Sequence, residues 1–350
     1  MKAKYYSSIL ILFSLLAVII QPASGHVKWF SPYDTTEPPL SLNEVTSIPY
    51  FWLVFVISYA FIFFMVFIDA QTDTLNRYIN AYRYKALRKL PDDFAYRVFT
   101  LTLIIFFACV WAIGGITLTP ELKHSSLLVA SIQVLILVAL MTRMTAKYAG
   151  FGIIALWLYA ISNYGLFHLA DYMIFLGIAL FMIKGHNPSQ FTAKSFSFFM
   201  LYLAISWTLQ WASVEKWIYP TWSYPLLVEK PYLSMGFPKE IFMVMAGFVE
   251  FTLAFLLIAL TGTGFIVTTV ALAGVFILAI IDFGKVDAIG HLAIIVSLYL
   301  MAIMGPCRLN YFFAGLSDQP AKRAFKVSVC YLFALIFFTI IYYGLQKIAA

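Results

Sequence analysis

Five histidines stand in the chain: His26, His124, His168, His186 and His291. Two of them have a carboxylate at helical spacing. His168 precedes Asp171 by three positions and Asp287 precedes His291 by four, so on a helix each pair shares a face. A carboxylate beside an imidazole fixes its tautomer, or the two together hold a metal. Further acids extend the set. Glu215 lies in QWASVEKWIYP with Lys216 directly after it, Glu250 sits near the middle of an apolar run, and Asp282 closes another. An ionisable group within an apolar run is costly to bury and marks a functional position. For Glu250 a neutral acid, hydrogen-bonded to a neighbouring helix, is the competing structural reading. The candidate polar site is therefore His168, Asp171, Glu215, Glu250, Asp282, Asp287 and His291. At helix ends the plainer reading of any one of these residues is solvation or capping.

Copper chemistry has separate candidates. If the chain were cut after Gly25, His26 would offer an α-amine and an imidazole to Cu(II). His168 and His291 are the other candidate metal ligands. Met235, Met243 and Met245 could serve Cu(I) as thioethers, or simply pack. Trp207, Trp211, Trp217 and Trp222 read as an interfacial aromatic belt.

The elements that must position these groups follow from composition. Of the 350 residues 63% are hydrophobic and 11% charged, with a mean hydropathy of +0.89. A soluble domain carries roughly 25% charged residues, so this chain cannot cover a water-facing surface and the bilayer must be its solvent. In lipid every backbone polar group must be satisfied internally, which leaves helices or a closed barrel. The apolar runs are continuous rather than alternating, which selects helices. They fall at 47–68, 98–117, 125–142, 149–166, 170–184, 195–213, 239–260, 264–281, 288–305 and 326–345. The expected fold is an all-α membrane protein, a polytopic helical bundle with about ten transmembrane helices. Cys109, Cys307 and Cys330 match no metal or disulfide spacing.

Residues 1–25 read as a signal peptide, with Lys2 and Lys4 before an apolar core and Ala-Ser-Gly at its end; an uncleaved anchor helix is the alternative. Across the ten runs the Lys and Arg of the connections divide fourteen to seven. The richer side holds Arg77 to Arg97, Arg143, Lys147, Lys184, Lys194, Arg308 and Lys322 to Lys326, and the positive-inside rule makes it cytoplasmic. That places the mature N-terminus outside. The net charge of +7 then reports orientation, and nucleic acid is not an expected partner. The basic loop 69–97 is an orientation signal or a helix lying on the inner leaflet.

Two segments look alike. Trp111-Ala112 precedes Pro120 as Trp211-Ala212 precedes Pro220, and HLADYMIFLGIALF at His168 parallels HLAIIVSLYLMAIM at His291. This predicts two parallel four-helix repeats, 98–194 and 195–307, between an N-terminal part 26–97 and a C-terminal part 308–350. Such repeats often meet at the functional site.

WASVEKW at 211–217, FVEFTLAFLLIAL at 248–260 with Glu250, and Asp282-Phe283-Gly284-Lys285 before His291 resemble the DoxX/DoxD-like family of membrane proteins, which includes the MauE type. The resemblance covers 195–307 and, more weakly, the first repeat. It implies a four-helix membrane unit tied in some members to quinone-linked or thiol-linked redox systems, and it assigns no catalytic residue here. The resulting expectation is a bacterial inner-membrane protein with a periplasm-facing polar site, redox (quinone-linked) or metal-handling, using quinone or copper and a membrane or periplasmic redox partner. The alternatives are a proton-coupled transporter of a small solute or ion, and a non-catalytic assembly partner. No P-loop, GxGxxG, HExxH or GxSxG motif is present.

Overall fold

The computed structural model describes residues 27–29, 37–72, 94–185 and 193–349. The signal-peptide segment, His26, His186 and most of the basic loop lie outside the described residues. Among the described residues there are twelve α-helices and no strand. They are α1 (Leu42–Ser47), α2 (Phe51–Gln71), α3 (Phe94–Ile113), α4 (Leu127–Leu140), α5 (Ala146–Leu169), α6 (Met173–Gly185), α7 (Phe196–Ile218), α8 (Tyr224–Glu229), α9 (Lys239–Ala259), α10 (Thr263–Met304), α11 (Arg308–Ala314) and α12 (Pro320–Ala349). The chain is a helical membrane protein. Among the described residues six helical segments are long and apolar enough to cross a bilayer: Phe51–Gln71, Tyr96–Ile113, Ala146–Gly185, Lys239–Ala259, Thr263–Met304 and Pro320–Ile348.

Two of these are far longer than one crossing needs. A straight helix of 42 residues would extend about 63 Å, twice a hydrocarbon core of about 30 Å. Both are broken by glycine, at Gly165 (φ 81°) and Gly284 (φ 72°). That backbone conformation is readily available only without a Cβ. The break in α10 folds the chain back on itself: the rings of Phe276 and His291 lie 4.7 Å apart, whereas a straight helix would separate them by about 22 Å along its axis. The break in α5 similarly lets α6 return along it, and the two helices pack together.

At the centre is α7. It is long but less apolar than the six, because Ser197, Ser206, Thr208, Gln210 and Ser213 occupy buried positions. In the bundle interior these groups bond to backbone and to one another. Ser206 Oγ donates to the Ala254 carbonyl (2.9 Å), and Thr208 Oγ1 accepts from the Ile174 N–H (3.0 Å). The N-terminus of α7 is capped by Ser195, whose hydroxyl accepts from the Phe198 N–H. This helix docks on α6 to one side and α9 to the other, while α3 docks on α10 and α2 on α12. Large apolar side chains of the peripheral helices remain exposed, among them Trp52, Val56 and Phe64 on α2 and Phe325, Phe333 and Ile340 on α12, as lipid contact requires.

The aromatic belt expected at Trp207, Trp211, Trp217 and Trp222 does not form. Trp211, Trp217 and Trp222 are buried. Trp211 packs on Tyr342 at 4.7 Å and Trp217 on Phe248 at 4.5 Å. The indoles join α7 to α9 and α12 instead of facing a headgroup layer.

Candidate functional site

The site is built where α7 ends. The short turn Val27–Trp29 reaches this end of the bundle and brings Lys28 between two carboxylates. Its Nζ donates to Asp171 Oδ2 at 3.2 Å and lies 2.5 Å from Glu215 Oε2. The Lys28 side chain is 3% exposed and that of Asp171 0%. Asp171 comes from the 3-10 turn that links α5 to α6, and Glu215 from the last turn of α7. One lysine from outside the helical hairpins therefore joins acids of two different helices. Its ammonium also lies 5.2 Å over the Trp222 ring, a favourable cation–π placement. The Tyr342 hydroxyl donates to Glu215 at 3.5 Å.

Next to it, Trp29 fills the space that Gly290 leaves. A Cβ at position 290 would overlap the Trp29 ring. The indole packs 4.7 Å from the His291 ring, and its N–H donates to the Tyr172 hydroxyl at 3.4 Å. Tyr172 in turn donates to Glu121, whose other oxygen meets His168 Nε2. Glu121 is presented by the tight connection between α3 and α4. There the Thr117 N–H bonds the Leu122 carbonyl (2.7 Å), and the Gln133 amide holds the Ile116 and Thr117 carbonyls (2.6 and 3.0 Å). Burial alone would raise the Glu121 carboxyl. The charge of Lys28 and the contacts of His168 and Tyr172 outweigh it and hold Glu121 well below the usual carboxylate range.

Two further pairs complete the cluster. Lys216 Nζ lies 2.6 Å from Glu250 Oε2, and His291 Nδ1 lies 3.0 Å from Asp287 Oδ2. Asp287 is fully buried, and among the described residues its carboxylate meets no other donor. A partly enclosed cavity of about 40 Å3 lies among these groups, lined by Lys28, Glu215, Lys216, Glu250, Phe276 and His291. Roughly 10–15 Å3 of such space suffices for one water, so the cavity has room for a few waters. Two carboxylates, Glu215 and Glu250, thus share its wall with two lysines, Lys28 and Lys216, and with His291, while Asp171, Asp287, Glu121 and His168 belong to the pairs beyond it.

The structure thus brings Glu215, Glu250 and His291 to one cavity, with Asp287 behind His291 and Asp171 behind Lys28. It does not join His168 to Asp171. Gly165 breaks the helix before His168, and Asp171 sits in a 3-10 turn, so the helical spacing that would put them on one face is lost; His168 turns to Glu121 and Asp171 to Lys28. Nor does His168 line the cavity with His291, since Trp29 and Tyr172 stand between them. Glu250 is not a lone acid in an apolar helix but the partner of Lys216. Asp282 stands apart: its carboxylate accepts from the Tyr232 hydroxyl (2.8 Å) and its carbonyl from Lys230 (2.5 Å), fastening the connection before α9 to the turn at Gly284. Lys28, Trp29, Tyr172 and Tyr342 were not expected in the site.

Among the described residues no group of three or more His, Cys, Asp or Glu side chains could hold a metal ion. His26, the first of the expected copper ligands, lies outside them. The expected thioethers scatter: Met243 is buried and Met235 exposed. The three cysteines are free thiols.

No protein-family model matches the chain, and neither does any curated protein or solved structure.

Proposed function

We propose that this protein is a proton-coupled membrane transporter of a small solute or ion, in which the buried Lys28 cluster takes up and releases the protons. The observation that carries this reading is the grouping of acids and bases about one cavity sized for water: Glu215 and Glu250 line it with Lys28, Lys216 and His291, and Asp171 and Asp287 stand directly behind. Low-dielectric surroundings penalise charge, and in this reading protons shared among Glu215, Glu250, Asp287 and His291 limit it. A site that must exchange protons to stay near neutrality can tie their passage to a change of shape.

In this reading the bundle is a pair of DoxX-like four-helix units, 98–194 and 195–307. The first helix of the second unit docks on the last helix of the first (α7 on α6), and the first helix of the first unit docks on the last of the second (α3 on α10); a parallel duplication produces this reciprocity. Counting α4, α7 and both halves of each broken helix gives ten crossings. In this reading the chain lies in a bacterial inner membrane, with the Lys28 cluster facing the periplasm and a signal peptide preceding it.

The test is reconstitution. Proteoliposomes holding the full chain should dissipate an imposed pH gradient when small cations or carboxylates are supplied across the membrane. Glu250→Gln, which keeps shape and removes the titratable group, should abolish that flux while the protein remains folded. Flux equal to that of empty liposomes for every co-solute, or flux unchanged in Glu250→Gln, would sink the proposal.

A further inference from the structure

At the end of the bundle away from Lys28, an open groove of about 440 Å3 runs between the start of α7 and α11. The helix α7 is 23 residues long, so the two ends of the bundle are about 35 Å apart. The groove walls are Phe196, Phe199, Leu309 and Phe312, and Arg308 stands at its edge. Phe196 is 50% and Phe312 61% exposed, so this is an apolar surface facing out of the bundle. Lys194, two positions before Phe196, places its Nζ 5.6 Å over the ring of Tyr311, the neighbour of Phe312. Lys194 and Arg308 are both exposed. Neither has a carboxylate partner among the described residues.

We propose that this groove binds one anionic phospholipid, with its phosphate between Lys194 and Arg308 and an acyl chain along Phe196, Phe199, Leu309 and Phe312. Charge complementarity selects the occupant. Two cations at the rim, neither with a carboxylate partner among the described residues, call for an anion, and a fork-shaped guanidinium suits a phosphate. The aromatic trough calls for a hydrocarbon tail on the same molecule. A free anion would leave the trough uncovered, and a neutral lipid would leave the cations without a partner. The volume falls within the usual range of ligand pockets, roughly 300–1,000 Å3, and basic pockets between membrane helices are recurrent sites for such headgroups. The helix α11 is held rigidly enough to serve as one wall. The Asn310 amide donates to the Leu257 and Leu260 carbonyls at 3.0 and 2.7 Å, and its oxygen accepts the Cys307 N–H at 2.9 Å.

The experiment uses the full-length protein in detergent, with phosphatidylglycerol and phosphatidylcholine titrated separately and bound lipid read by native mass spectrometry. Phosphatidylglycerol should bind in preference. The Lys194→Gln/Arg308→Gln double variant should lose that preference, roughly 30-fold if each cation contributes about 1 kcal/mol. Lys322→Gln, an exposed charge outside the groove, should leave it intact. Should the double variant fail to fold, Phe312→Asp, which sets a negative charge on an exposed wall position, should weaken phosphatidylglycerol binding on its own. Equal retention of the two lipids by the unaltered protein overturns the proposal, as does an undiminished preference in the double variant, an equal loss in Lys322→Gln, or full competition by inorganic phosphate.

Discussion

Both ends of the bundle bury an acid, and the two acids are treated differently. At one end Asp69, at the close of α2, is 5% exposed. Its Oδ2 accepts from the Thr261 N–H and hydroxyl, both at 3.0 Å, and its Oδ1 from the Gly262 N–H at 3.1 Å. All these donors belong to the connection that opens α10, so Asp69 caps a helix from a neighbouring one. Asn310 beside it is likewise saturated. At the other end Asp171, Glu215, Glu250 and Asp287 face lysine and histidine side chains across a small cavity. Backbone donors cannot leave or take up a proton under ordinary conditions. Ammonium and imidazole groups can rotate, dissociate and, for imidazole, titrate near neutrality. The first end is a clamp, and in the proposed reading the second is an exchange site. Acid content alone does not separate them; the kind of donor does.

The sharpest way to break the comparison is Lys28→Met. It leaves Asp171 and Glu215 without their cation. Removing one partner of a buried ion pair costs about 3–5 kcal/mol, so thermal unfolding in detergent should drop steeply and any flux vanish. Lys28→Arg should recover most of both. If Lys28→Met unfolds like the unaltered protein, the cluster is not held by this cation. Gly290→Ala comes next: the added methyl meets the Trp29 ring, and forced repacking typically costs about 1–3 kcal/mol. Flux should fall with stability, because Trp29 separates His291 from Tyr172. Asp69→Asn should cost a similar or smaller amount, about 1–3 kcal/mol for donors left facing an amide, yet leave flux per folded molecule unchanged. A loss of flux there would erase the distinction between the two ends. The smallest effect concerns pH. Glu121 is held below its ordinary value of 4.5, so its contribution to stability is complete above that value and is withdrawn only as pH falls below it. The melting temperature should therefore be flat in this respect at neutral pH and decline in acid, and Glu121→Gln should flatten the acid limb.

Much of this fold was legible in the sequence because lipid leaves few choices. Each of the ten apolar runs falls on a helix, and the two glycine breaks lie between runs already separated by polar residues: Asn163 to Asp171 in one case, Asp282 to Asp287 in the other. The site was legible only in part. Asp287 and His291 are four apart on one helix, so spacing brings them together; Glu250 stands out as an acid in an apolar helix. Lys28 could not be found this way. Its partners lie 143 and 187 positions along the chain, and a lone lysine beside a tryptophan has no period to read. The Trp207 to Trp222 group misled for a related reason: tryptophan clusters mark membrane interfaces on average, but here α7 is the central helix and its indoles are enclosed by α9 and α12.

The origin of Lys28 has a consequence of its own. The cation that neutralises Asp171 and Glu215 is carried by the turn Val27–Trp29 and not by a bundle helix. It behaves as a tethered ligand, and a short tether keeps such a ligand at an effective concentration on the order of millimolar. Dissolved cations must compete with a partner that never diffuses away, whereas a proton arriving at Glu215 weakens the attraction directly. In the proposed reading, acidity reaches the tethered cation through Glu215, the acid it shares with the cavity wall.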